Sequence, residues 1–260
     1  MSKVNFKIGD FKAQKEFRKE HKQFIDNLPT LVGALNIAFN RDYQANDLAD
    51  TLVYDLSKEC VNRFSEVGLL CANGQGDAAF IILRSMFEYL VCARYLHLHP
   101  EKSSDFVDYL HIHMHTVHVQ IQRTYGKERL PSSNEYEARV KANFEKVKEK
   151  YSYKTQSGKR KTKSSWSDKG MVDMATEAGL GEYIVLAYYL GIEKAHPSIL
   201  AVANKRASNE IASEALMISH RMLIELLILQ HEHFGLEELK PIIGQCLGNF
   251  TQIWEKYKKA

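Results

Sequence analysis

Arg84 and Glu88 stand four residues apart inside AAFIILRSMFEYLVCARYL (Ala78 to Leu96), a run that is apolar almost all the way round. A helix hydrophobic on every face is a buried helix, and an ionised side chain inside one is costly unless it is paired. The i, i+4 spacing puts both residues on one face, within pairing reach. Two readings stay open. The pair is a structural ion pair that satisfies itself, or Arg84 also binds an anion or a second carboxylate through its always-charged, bidentate fork. A second group is YYLGIEKAHPS, from Tyr188 to Ser198. His196 ends a helix there and is held by the following proline. The helix dipole favours a positive imidazole at that position. Beside Ser198 and near Tyr188, it can act as a general acid or base, or it can cap carbonyls.

Two further groups stand out. In DYLHIHMHTVHVQ, residues Asp108, His111, His115 and His118 fall at i, i+3, i+7 and i+10, one helical stripe, while His113 points elsewhere. A histidine pair at i, i+4 can chelate a metal. Glu193 and His196 repeat the carboxylate-x-x-His spacing, and Glu88 and Glu225 sit in apolar helices. Together these have the composition of a di-metal carboxylate bundle. One motif begins with Asp, the other abuts a proline, and Glu88 already has Arg84 beside it. The stripe reads more readily as a partly exposed polar face or a subunit contact. Finally, basic residues crowd Lys141 to Lys169, with Tyr151, Tyr153 and Trp166 among them. Clustered cations with aromatics suit phosphate contact and base stacking. Lys159, Arg160, Lys161, Lys163 and Trp166 are the candidate nucleic-acid contacts. Glu145 and Glu149 dilute the charge, and a solvated loop has the same composition.

The elements that must position these residues are helices, because nearly every segment shows helical spacing. The pattern predicts a charged helix from about Phe11 to Asn27, and a second opened by Pro29 and running from Leu31 to about Asn40. A third covers about Asn46 to Cys71 and is ended by the NGQG turn at Asn73 to Gly76. Asp77 is the candidate N-cap for the central helix, which stops before Pro100. Helices follow from Ser103–Asp105 to about Tyr125 and from Ser132 to Tyr151. KTQSGKRKTKSSWSDKG reads as a mobile surface loop. Short helices over about Gly170–Ala178 and Glu182–Ala195 precede two long ones, Glu210–Phe234 and Leu236–Lys258. No strand pattern and no internal repeat is evident.

The chain of 260 residues is long enough to bury a substantial core, with 45% apolar and 26% charged residues. A net charge of +3 is a mild bias that does not by itself imply nucleic acid. The four cysteines, Cys60, Cys71, Cys92 and Cys246, show no C-x-x-C spacing and suit buried free thiols in a reducing compartment. The N-terminal MSKVNFKIGDFK lacks the apolar stretch of a signal peptide. No uninterrupted apolar run reaches the roughly 20 residues of a membrane span. A cytoplasmic protein is expected. The phosphate-binding G-x-x-x-x-G-K-S/T, G-x-G-x-x-G, G-x-S-x-G and H-E-x-x-H signatures are absent, which argues against triphosphate hydrolysis, dinucleotide redox chemistry and serine-hydrolase chemistry.

RSMFEYLVCARYL, SSWSDKGMVDMATEAGL and YYLGIEKAHPS, in that order, resemble a bacterial all-helical family known only as a domain of unknown function. Its pattern has R-x-x-x-E on a central helix, a later tryptophan with a short helix, and a tyrosine eight residues before H-x-S. Here these positions are Arg84, Glu88, Trp166, Tyr188, His196 and Ser198. The resemblance covers roughly Leu48 to Leu229 and brings no established activity. It departs at Ile192, where the family often has a small hydroxyl residue. The helical build and late histidine are similar to the HEPN group of prokaryotic ribonucleases and nucleotide-binding proteins, many of them toxins or antiviral effectors. Their ribonucleases use R-x(4–6)-H, usually at a dimer interface. No arginine stands four to six residues before His196, only Lys194 nearby.

The expectation is an all-α multi-helix bundle with a basic surface loop at about 152–169, an N-terminal helical extension over 1–45 and a main domain over 46–260. The resemblance implies a homodimer that binds or cleaves RNA; no metal, no cofactor and no membrane are expected. Arg84 would hold phosphate, His196 would be the acid or base, and Lys159–Lys163 would guide RNA. One alternative is a non-enzymatic helical module that assembles with itself or a partner. A second is a metal-dependent helical enzyme built on Asp108, His111, His115, Glu193 and His196.

Overall fold

The computed structural model describes residues 9–126, 134–196 and 208–257. The fold is all-α: a multi-helix bundle whose one strand pair, among the described residues, is a short antiparallel hairpin. The chain divides into two compact units, one formed by residues up to Leu98 together with those from Met174 onward, the other by His99–Asp173.

In the first unit α1 (Phe11–Glu20) and α2 (Lys22–Phe39) lead into α3 (Leu48–Ala72) and α4 (Gly76–Leu98). The boundary at Asp173 falls inside α7 (Met171–Glu177), and a 3₁₀ turn (Gly181–Tyr183), a π-helical turn (Ile184–Tyr189) and α8 (Leu190–Ala195) follow. The long α9 (Ser208–Phe234) and α10 (Leu239–Tyr257) close the unit. Asp10 caps α1 by accepting from the Lys12 and Ala13 amides, and Asp47 caps α3 by accepting from the Asp50 amide. The break between α3 and α4 is made by Gly74, whose φ of +69° suits glycine. Helices α3, α4 and α9 pack on one another and α10 packs on α2 and α9. The core lies between α3, α4 and α9: Leu83, Met86, Phe87, Leu90 and Val91 of α4 and Leu216, Met222, Leu223, Ile224 and Leu227 of α9 are all essentially inaccessible. Each such side chain contributes roughly 1.5–3 kcal/mol by leaving water.

The structure departs from the sequence pattern at three places. The first break falls at His21, and Pro29 lies inside α2 rather than opening a helix. Asp77 sits in the first turn of α4, which starts at Gly76, so it favours the helix through its charge at the positive end of the dipole. The expected basic loop contains the hairpin β1 (Ser152–Lys154) and β2 (Arg160–Thr162), with Tyr153 opposite Lys161.

The second unit is built on α5 (Ser103–Tyr125) and α6 (Asn134–Val147). Ile112, Val147 and Tyr151 form its buried centre, with Tyr109 and Phe144 against them. The Tyr151 hydroxyl donates to the Asp105 carbonyl oxygen at 2.7 Å. Lys150 Nζ lies 2.6 Å from Asp105 and 2.8 Å from Asp108, which ties the segment after α6 to α5. Residues 99–173 hold 15 of the 35 Lys and Arg but only 10 of the 32 Asp and Glu, a net +5 against −2 for the rest of the chain.

Candidate functional site

Arg84 and Glu88 form the pair that their spacing predicts, Nε to Oε1 at 2.9 Å. They do not lie in the core. With Ile81 they occupy a partly open stripe of α4, and their side chains keep 28% and 36% of their exposure. That placement removes most of the desolvation cost of burying the pair. The π turn and α8 run along this stripe. The Phe87 ring is 6.2 Å from the Tyr188 ring, Gly191 sits against Arg84 and the Phe80 carbonyl, and Lys194 Nζ is 2.8 Å from Asp77. As α8 advances, its partners on α4 fall in number, so the two helices are antiparallel. The Arg84 guanidinium stacks over the Tyr188 ring at 5.1 Å.

The structure therefore brings Arg84, Glu88 and Tyr188 together. It does not bring His196 to them. His196 is exposed at the end of α8, about 8 Å further along the helix axis than Gly191, and on the side away from Glu88. Ser198 lies outside the described residues.

Among the described residues no group of three or more His, Cys, Asp or Glu is placed to hold a metal ion. Other partners engage the stripe. Asp108 is ion-paired to Lys150, His115 lies flat on the Phe144 ring at 3.8 Å, and His118 is buried 2.9 Å from Gln122.

The basic stretch is ordered by its turn and its anchors. The Thr155 amide donates to the Lys159 carbonyl at 2.8 Å, and Gly158 turns the tip with a φ of +77°. At the base the Lys163 amide donates to the Tyr151 carbonyl and the Tyr109 hydroxyl donates to the Lys163 carbonyl. Arg160 pairs with Glu149 and Lys163 with Asp168. Lys154, Lys159 and Lys161 are exposed and have no ion-pair partner among the described residues. Tyr153 is 47% exposed beside them. Trp166, by contrast, stands edge-on to Phe106 at 5.1 Å, so it anchors the hairpin's base.

A group that the sequence pattern did not single out lies where α3, α4 and α9 meet. His233 Nε2 is 3.0 Å from the Asp50 carboxylate, and His233 Nδ1 is 2.9 Å from His97 Nδ1. Asp50 is held further by the Asn46 amide at 2.9 Å and its side-chain nitrogen at 2.8 Å. Burial pushes the Asp50 carboxyl up, but the two Asn46 hydrogen bonds and His233 outweigh it, so it lies below its ordinary value. Burial, His233 and Arg94 hold His97 below its ordinary value against the pull of Glu232. One turn before His97, Arg94 Nη2 reaches Glu225 at 3.3 Å and Glu232 at 3.9 Å. Arg221 takes the other Glu225 oxygen at 2.8 Å. The sequence carries a faint trace of this group: Arg94 and His97 share a face at the end of an apolar helix, and HEHF ends α9. The sequence here also contains Arg94-x4-His99, the arginine–histidine spacing absent before His196, with His99 just past the end of α4.

Residues 50–215 match a family of unknown function, DUF5677. The chain belongs to that family. No curated protein and no solved structure matches it. The DUF5677 match spans Arg84, Glu88, Tyr188, His196, the hairpin, Asp50 and His97, and stops short of His233. Among the described residues no helix is long and apolar enough to cross a membrane.

Proposed function

We propose that this protein is a HEPN-like helical protein that acts on RNA. The observation that carries the reading is the hairpin finger. Among the described residues it presents Lys154, Lys159 and Lys161 to solvent without carboxylate partners, next to the half-exposed Tyr153, on a unit of net +5. Unpaired lysines neutralise backbone phosphates and release counterions, and an exposed ring stacks an unpaired base. The Arg94-x4-His99 spacing agrees with the R-x(4–6)-H pattern of that group. Arg84, propped on the Tyr188 ring, is a further cation able to hold phosphate. Such an activity is one that a prokaryotic toxin or antiviral effector would use. The test is anisotropy of labelled single-stranded RNA across a salt series. Replacing Lys154, Lys159 and Lys161 together with alanine lowers the log–log salt slope by about 2, because each phosphate neutralised on a single strand accounts for roughly 0.7 of that slope. An unchanged slope and affinity refute the reading.

A second reading, assembly with another copy, is favoured by one observation. Val185, Leu186 and Tyr189 of the π turn are exposed at 63%, 43% and 52%. Contiguous exposed apolar side chains mark contact surfaces, and π turns recur at functional positions. Light scattering of the wild type and of Leu186→Asp tests it; a monomer in both cases ends it.

A further inference from the structure

We propose that Asp50, His233 and His97 form a proton relay whose outer nitrogen, His97 Nε2, is the general base for the 2′-hydroxyl of bound RNA. The inference rests on the RNA reading above and assigns its chemistry to residues that the sequence pattern did not single out.

The geometry sets the order of protons. The Asp50 carboxylate only accepts, so His233 Nε2 carries hydrogen and donates to it across 3.0 Å. Two nitrogens that face each other at 2.9 Å share one hydrogen, so either His233 Nδ1 or His97 Nδ1 is the donor, and not both. With His233 neutral, its Nδ1 is bare, His97 Nδ1 donates, and His97 Nε2 is left with a free lone pair. That lone pair has no hydrogen-bond partner among the described residues, and Nε2 is not among the buried unpartnered atoms, so solvent reaches it. When Nε2 takes a proton, the Nδ1 hydrogen passes to His233 and the positive charge comes to rest beside Asp50. Both histidines and Asp50 are held by three different helices, so the relay is fixed before any substrate arrives. The charged and titratable groups facing it are Arg94 from α4, Glu232 from α9, and Tyr43 from the segment between α2 and α3, beside Asp50.

The step balances without a metal or a co-reactant. His97 Nε2 takes the proton as the ribose O2′–H bond breaks. O2′ bonds to phosphorus, the P–O5′ bond breaks, and O5′ leaves with a proton from water. The relay then returns its proton to solvent. The products are a 2′,3′-cyclic phosphate and a free 5′-hydroxyl. Arg94 stands one turn away on the same face, with its Nη2 held by Glu225 and Glu232 and its buried Nε without a partner among the described residues. His97 is the catalytic residue; His233 and Asp50 are positioning residues.

The experiment follows cleavage and binding of a single-stranded RNA by the full chain, with the histidine nitrogens read by ¹⁵N NMR. His97→Gln is expected to lower the cleavage rate at least about 100-fold, in the range of a lost general base, with RNA affinity and melting temperature unchanged. Asp50→Asn is expected to lower the plateau rate and move the midpoint of the pH–rate profile downward. In the wild type without RNA, NMR should show hydrogen on His97 Nδ1 and a bare Nε2, and Asp50→Asn should change that pattern. Wild-type cleavage by His97→Gln, or a loss confined to His99→Gln, overturns the assignment while leaving RNA binding intact. Binding without cleavage by the wild type overturns it too. A hydrogen on Nε2 that Asp50→Asn does not disturb overturns the relay whether or not RNA binds. Absence of RNA binding removes the substrate, and with it the reading on which the proposal rests.

Discussion

Gly191 makes α8 and α4 touch, and replacing it with alanine has a sign that can be worked out in advance. A Cβ at this position would stand 2.5 Å from Arg84 Cβ and 3.0 Å from the Phe80 carbonyl oxygen. Neither atom can swing aside, since one is backbone and the other is fixed to it. Alanine gains about 0.8–1.0 kcal/mol of helix propensity over glycine. Overpacking costs about 1–3 kcal/mol, and an approach this short between rigid atoms belongs at the upper end. The net effect of Gly191→Ala is a loss of about 1–2 kcal/mol, which lowers the melting temperature by about 3–6 °C for a chain of this size. Gly244 in α10 is the matched control. Nothing lies within 4 Å of a Cβ built there. Gly244→Ala keeps only the propensity gain and raises the melting temperature by about 2–3 °C. Both are read by thermal unfolding followed by circular dichroism at 222 nm. Gly191→Ala should also separate Tyr188 from Arg84. If the two variants shift in the same direction, the close approach of α8 to α4 is wrong.

The Arg84–Glu88 pair keeps about a third of its exposure, so Arg84→Ala should cost only about 1 kcal/mol, made up of an i, i+4 ion pair and a cation–π interaction. A loss above about 3 kcal/mol in urea unfolding would mean a buried charge was stranded. His21 and His220 are buried to 3% and 1% exposure, and desolvation lowers each to about 4 from 6.5. Their neutral forms stabilise the fold above the unfolded value. As pH falls from about 6.5 to about 4 the unfolded chain takes up protons that the folded chain refuses, a loss of about 3 kcal/mol per histidine. The midpoint in urea should drop steeply across that window, and His220→Leu should flatten the slope; a flat wild-type profile rules the effect out. Burial also raises the Cys60 thiol and pushes Cys71 up to about 12. Both should ignore a thiol reagent at pH 8 until denaturant is added, and rapid labelling of either in the native protein would show that the α3 face is open.

What the sequence made legible was local, and what it hid was long-range. The run Ala78–Leu96 announces α4 because a 23-residue helix needs nothing beyond its own periodicity to be seen. Pro29 was misleading for an energetic reason. A proline inside a helix costs about 3 kcal/mol, which favours a break. Yet α2 buries Phe24 before it and Leu31, Ala34 and Ala38 after it on one continuous face. Two large side chains leaving water offset that cost, and the helix continues. The hairpin was invisible because three-residue strands carry no alternation to detect. It is held by interactions from outside, with Tyr109 on the Lys163 carbonyl and Phe106 against Trp166.

The relay shows the same limit most sharply. Asp50 and His233 are 183 positions apart, and His97 and His233 are 136 apart. Each is ordinary where it stands in the sequence. Only the packing of α3, α4 and α9 into one core makes them neighbours, and that packing is driven by Leu, Met and Phe side chains that take no part in any proton transfer. The Arg84–Glu88 pair is the converse case. Its spacing was readable, but its surroundings were not, because the stripe it occupies is covered by a helix that can approach only where residue 191 lacks a side chain. Spacing therefore identifies which groups can pair within one helix. Whether a pair works as a site depends on what a distant segment lays across it, and at α4 that is decided by a single glycine.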